Sequence, residues 1–217
     1  MTGIEERCRL VLVMPDMADT DLLVDGLTSA LKGGDVASVI LPQYGLDERA
    51  YQKRVTACLP IVQAAGVAAF LAGDERVAVR TQADGVHVEA TAQDVSEAME
   101  RLSPGLMVGA GGITSRHMAL QAGEAQPDYV MFGKLDGDIR KAPHPANIAL
   151  GEWWSSMIEI PCIVMGGSDV ESVVAVADTG AEFVALRMAI FADPAMAALK
   201  VSQANALLDA NAPRFAT

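Results

Sequence analysis

Two glycines, Gly166 and Gly167, stand between an apolar run ending at Gly166 and a helical pattern announced by Ser168 and Asp169. A second apolar run, Phe183 to Arg187, follows and ends in a cation beside Met188. Glycine lacks a Cβ and tolerates positive φ, so an anion can approach the backbone N–H groups that open the next helix. This spacing has the chemistry of a phosphate cup, with Gly166, Gly167, Arg187 and Met188 as its lining. Its plainer reading is a tight turn with Arg187 snorkelling at a rim. Upstream, Gly133 opens the longest irregular piece of the chain, "GKLDGDIRKAPHPAN", and joins the same phosphate-binding set. Arg140, Lys141 and His144 bring three cationic or titratable groups to that piece, as solvated charges or as ligands of an anion.

The elements that must position these groups are legible as apolar runs alternating with helical patterns. Eight runs are β-branched enough to be strands buried on both faces. They span 10–14, 36–40, 67–71, 84–88, 106–110, 129–133, 162–166 and 183–187. Helix starts are marked by Asp19, Asp47, Ser168 and Asp169, with Asp74 a further N-cap candidate and Pro194 placed for the first turn of the last helix. Eight repeats of strand then helix predict a single (β/α)8 TIM barrel over 1–217, with a doubly wound open sheet as the alternative. No linker or low-complexity tract divides the chain. In such a barrel the loops leaving the C-terminal strand ends carry the chemistry, and the turns after strands seven and eight form a phosphate site. The 133–147 loop is then an active-site flap.

Composition narrows the classes of partner. The chain has 217 residues, half of them apolar, and a net charge of −12. That balance disfavours nucleic acid and anionic membranes while leaving room for a local cationic site. No apolar run approaches the ~20 residues of a membrane span, and the first residues carry acids and no apolar export segment. Cys8, Cys58 and Cys162 are an odd set without a CxxC, which predicts buried thiols in a reducing, cytoplasmic setting. The expected partner is a phosphorylated small molecule.

Several of these stretches together, "ADGVHV", the Gly…Lys loop after strand six, "IVMGG" and "GAEFVALRMAIF", resemble the thiamin phosphate synthases and their sister group, the thiazole tautomerases. The resemblance is strongest from Phe70 to Phe191. It implies a TIM barrel that joins a hydroxymethylpyrimidine diphosphate to a thiazole phosphate and releases pyrophosphate, with Mg²⁺ holding the diphosphate. On that pattern Asp74 is a metal ligand, with Gly73 in place of the family's Asn. Asp94, or else Glu89, is the second ligand. The family's Thr-x-Thr-Lys falls on Asp138, Ile139, Arg140 and Lys141, which makes Lys141 the catalytic cation on the pyrophosphate and Arg140 a charged substitute for a hydroxyl. The tautomerase histidine falls on Ile113, and His117 comes four residues too late.

The widest departure follows strand two. There the family's Gln-x-Arg-x-Lys becomes Ile40, Pro42 and Tyr44, with Gln43 nearby on the opposite face. Each lost charge-assisted hydrogen bond is worth roughly 1.5 to 3 kcal/mol, enough together to slow the synthase reaction by orders of magnitude. The alternative function is a catalytically impaired barrel that binds a phosphorylated small molecule, and a third is another phosphate-handling barrel such as an indole or ribulose phosphate enzyme. His87 reads as a hydrogen-bonded core histidine or a catalytic one. Trp153 and Trp154 adjoin on a helix, so one covers a barrel flank or meets a second subunit of a homo-oligomer.

Overall fold

The computed structural model describes residues 7–89 and 91–215. Eight parallel strands form a closed ring in chain order: β1 (Arg9–Val13), β2 (Ser38–Pro42), β3 (Ala68–Ala72), β4 (Gly85–Val88), β5 (Met107–Ile113), β6 (Tyr129–Phe132), β7 (Cys162–Met165) and β8 (Phe183–Leu186). Pairing of β8 with β1, from Arg9 opposite Phe183 to Leu12 opposite Leu186, closes the ring and removes the open-sheet alternative. The expected strands hold to within one to three residues at each end. Among the described residues nine α-helices accompany them: α1 (Thr20–Ala30), α2 (Glu48–Ala64), α3 (Glu75–Thr81), α4 (Ala92–Leu102), α5 (Arg116–Glu124), α6 (Pro145–Ser155), α7 (Ser172–Ala177), α8 (Met188–Phe191) and α9 (Ala197–Asn211).

Side-chain donors and acceptors explain most helix starts. The carboxylates of Asp19, Asp47 and Asp74 accept N–H groups from the first turns of α1, α2 and α3. Two starts differ from the sequence reading. Ser168 and Asp169 do not open α7, because their N–H groups are bonded to carbonyls of the loop after β6. Pro194 opens a 3-10 turn, Pro194–Met196, and α9 begins only at Ala197.

The strand alternation divides the core in two. Val11, Val13, Ile40, Phe70, Tyr129, Met131, Ile163, Met165 and Ala185 fill the barrel interior. Leu10, Leu12, Val39, Leu41 and Val164 face the helices on the other side. Residues i and i+2 of a strand share a face, so one strand feeds both layers. Trp154 packs into the outer layer and donates Nε1–H to the Ile160 carbonyl at 2.7 Å. Trp153 stays half-buried under the Arg116 guanidinium, 5.0 Å from its ring centroid.

Large rings in the interior require missing side chains opposite them. Phe70 meets Tyr129 edge to face, with ring centroids 5.1 Å apart. A methyl group built on Gly109 would lie 2.0 Å from Tyr129 Cζ, and one on Gly85 would lie 2.5 Å from Phe70 Cε1. These glycines serve packing. Overpacking of this kind costs about 1–3 kcal/mol. Gly109→Ala is therefore expected to lower the unfolding free energy by that amount, read as a lower urea midpoint, and an unchanged midpoint would show that the Tyr129 ring is not wedged there.

Candidate active site

Because the interior is filled, free space lies at the C-terminal strand ends. A cavity of about 660 Å³ opens there, lined by Gln43, Tyr44, His87, Glu89, Lys134 and Asp136 among others. Gln43 does line it, but both ends of its amide are engaged within the protein. Its Oε1 accepts the Asp74 N–H at 2.9 Å and its Nε2 donates to the Leu46 carbonyl at 2.9 Å. A Cβ on Gly73 would come within 2.5 Å of that Oε1, so Gln43 occupies the room a larger residue at 73 would need. Tyr44 sits in the left-handed region at φ 48° and donates its hydroxyl to the Met14 carbonyl at 2.8 Å. Burial pushes its phenol up to about 12, and the neighbouring Arg187 guanidinium partly opposes that rise.

His87 and Glu89 stand two residues apart at the end of β4 and meet over Gly111, whose absent side chain leaves room for the imidazole. His87 is buried, with Nδ1 2.9 Å from the Tyr129 hydroxyl and Nε2 without a hydrogen-bond partner. Burial lowers its pKa to about 4, so the ring is neutral at physiological pH. The hydrogen-bonded core histidine is the form observed. Glu89 is held above the usual carboxylate range by burial of its carboxyl and then by Asp136, against the pull of the Leu135 N–H and Lys134.

The rim of β7 and β8 differs from the expected phosphate cup in one respect: its donors already have partners. Gly166 N–H goes to the Ala185 carbonyl at 2.9 Å and Gly167 N–H to Ser172 Oγ at 2.9 Å. Ser168 and Asp169 donate to the carbonyls of Arg140 and Lys141 at 2.8 and 3.4 Å. Asp138, buried, takes the Arg187 Nε–H at 2.7 Å and the Met188 N–H at 2.6 Å. Gly133 adopts φ 118°, close against Met165 and Asn147. The structure thus brings Arg187, Met188, Gly166 and Gly167 to one rim and lays the loop after β6 over it. Arg140 and Lys141 have exposed side chains and lie outside the cavity lining; they contribute their carbonyls.

The two expected metal ligands, Asp74 and Asp94, each serve the start of a helix. Asp74 caps α3 and pairs with Arg76, Oδ2 to Nη2 at 2.6 Å, and that hydrogen bond holds its carboxyl below the usual range. Asp94 closes a capping box with Thr91, accepting its N–H at 2.8 Å, so it serves the start of α4. Among the described residues no group of three or more His, Cys, Asp or Glu is placed to hold a metal ion. Glu89, the alternative second ligand, lines the cavity.

Two site residues, Lys134 and Asp136, escaped the sequence reading, and Asp138 entered it only as the position of a family threonine. Lys134 had a usable signal, since it follows the strand-end glycine Gly133 and so must emerge at the mouth. The pairing of Asp138 had none, since an acid in a polar loop of an acidic protein looks solvated. Its meaning comes from Arg187, 49 positions away.

A sequence profile described as thiamine monophosphate synthase matches residues 10–190. The chain belongs to that family. It is 34% identical over 202 residues to a thiamine-phosphate synthase of Rhodospirillum centenum, covering 93% of this chain and 98% of that protein. It is 32% identical to one of Hyphomonas neptunium, with 94% and 95% covered. In three dimensions it is similar to a thiamine phosphate pyrophosphorylase from Pyrococcus furiosus, with a TM-score of 0.75 at 19% identity over 96% of this chain and 98% of that one. This last likeness bears on the fold.

Two measurements check the assignments made at this site. Loss of an N-cap costs about 0.5–2 kcal/mol, so Asp74→Ala should destabilise the protein by that amount equally with and without Mg²⁺. A destabilisation seen only with Mg²⁺ present would restore Asp74 as a ligand. For His87 the folded pKa lies below the unfolded one, so the unfolded chain binds the extra proton first as pH falls. Stability is then complete above pH 6.5 and declines down to about pH 4. Between pH 7 and pH 5 this amounts to about 2 kcal/mol, absent from His87→Gln.

Proposed function

We propose that this chain is a single-domain, cytoplasmic transferase of the thiamin phosphate synthase type, joining a pyrimidine diphosphate to a thiazole phosphate with release of pyrophosphate. The family match over residues 10–190 carries this reading. The open cavity at the mouth of the barrel supports it, since that is where such folds do their chemistry. The three free, buried cysteines support the reducing compartment.

The bond that forms joins the thiazole nitrogen to the carbon carrying the diphosphate, and the carbon–oxygen bond that breaks leaves its electron pair on pyrophosphate. That step is favoured by fixed positive charge near the leaving oxygens. Lys134 is the cation lining the cavity, and Arg187 stands at its border against Tyr44. They take up the work of the cations missing from the β2 end, where Pro42 closes the strand and Tyr44 is turned onto Met14. Arg140 and Lys141 would join them when the loop after β6 lifts. Mg²⁺, where a synthase uses it, neutralises the diphosphate; here it would need Asp74 released from Arg76.

A second reading, a barrel that binds a phosphorylated small molecule without turning it over, is favoured by the missing β2 cations and the engaged acids. Incubation with hydroxymethylpyrimidine diphosphate, thiazole phosphate and Mg²⁺ separates the two. Thiamin phosphate should form, and Lys134→Met should lower kcat/KM about 10–100-fold, the loss of one charge-assisted contact. No product above background, with heat released on adding thiazole phosphate alone, would leave the binding reading.

A further inference from the structure

The rim of β7 and β8 already holds an anion, and it belongs to the protein. The Asp138 side chain has no solvent exposure, and the Arg187 side chain it pairs with is only 12% exposed. One carboxylate oxygen faces the Arg187 guanidinium and the other accepts the Met188 N–H. Arg187 also donates to the Asp136 carbonyl at 3.2 Å, so the guanidinium is ringed by the same loop. The resemblance to the synthases puts a neutral threonine at 138. An aspartate there adds a full negative charge to a place built to receive one.

The rest of the loop is seated with it. The carbonyls of Arg140 and Lys141 accept from Ser168 and Asp169. The Lys141 carbonyl lies so near Gly167 that a Cβ there would fall 1.9 Å from its oxygen. Asp138, Arg140 and Lys141 are thus held along one continuous edge, and releasing the first frees donors that the others cover. A phosphate entering beside Arg187 would meet the Asp138 carboxylate at contact distance, and like charges there repel strongly where water is scarce. The two anions exclude each other.

We propose that Asp138 is an internal competitor for anionic groups at Arg187, and so a specificity-determining residue. While it is seated, the rim of β7 and β8 is closed to phosphate. A phosphorylated ligand binds there only by displacing the loop, and its apparent affinity scales with the fraction of molecules in which the loop is displaced. This does not depend on the transferase reading, because the probe is inorganic phosphate and no turnover is measured.

The experiment titrates inorganic phosphate by calorimetry into the full chain at constant ionic strength, comparing wild type with Asp138→Asn. The amide keeps the shape and removes the charge. Asp138→Asn should bind phosphate at least tenfold tighter than wild type, and adding Arg187→Met should abolish that gain. If Asp138→Asn does not fold, Asp138→Thr replaces it with the same expectation. A folded variant that binds phosphate no tighter than wild type overturns the proposal, as does a gain that survives Arg187→Met.

Discussion

Closure of the ring is the constraint on which the rest of this structure rests. Once β8 pairs with β1, every strand is covered on both faces, and the interior must be filled with side chains. Phe70, Tyr129, Met131 and Met165 fill it, and a cavity lies at one rim. The chemistry of the molecule is therefore a matter of what eight loops present at the C-terminal strand ends. The same filling sets the floor of the cavity: His87 is fixed by Tyr129, which rises from the interior.

Strand positions and most helix starts were legible because they follow from local chemistry. A buried parallel strand must be apolar throughout, and a helix needs an acceptor such as Asp19 or Asp47 at its first turn. Even the choice between Trp153 and Trp154 was half visible, since adjacent helical positions cannot both face inward. The exceptions, Ser168, Asp169 and Pro194, lie where a distant segment intervenes or where the first turn tightens.

The site was less legible, and the reason is reach. Arg187, Gly166 and Gly167 were placed correctly at the rim by position alone. That Arg187 would be met by Asp138, and Ser168 and Asp169 by the carbonyls of Arg140 and Lys141, depends on the path of the loop after β6, which no periodicity describes. For Asp74 and Asp94 the local role and the ligand role use the same oxygens. The capping bonds are in place, because the N–H groups they satisfy are a few ångströms away in the same chain.

The contact between Gln43 and Gly73 couples the loops after β2 and β3. With the glutamine side chain lodged where a residue-73 side chain would project, Gly73→Asn alone would clash with it, and Gln43 changed alone would strip the Asp74 amide of its acceptor. The two loops are interlocked, so a side chain at position 73 requires a change at position 43 as well.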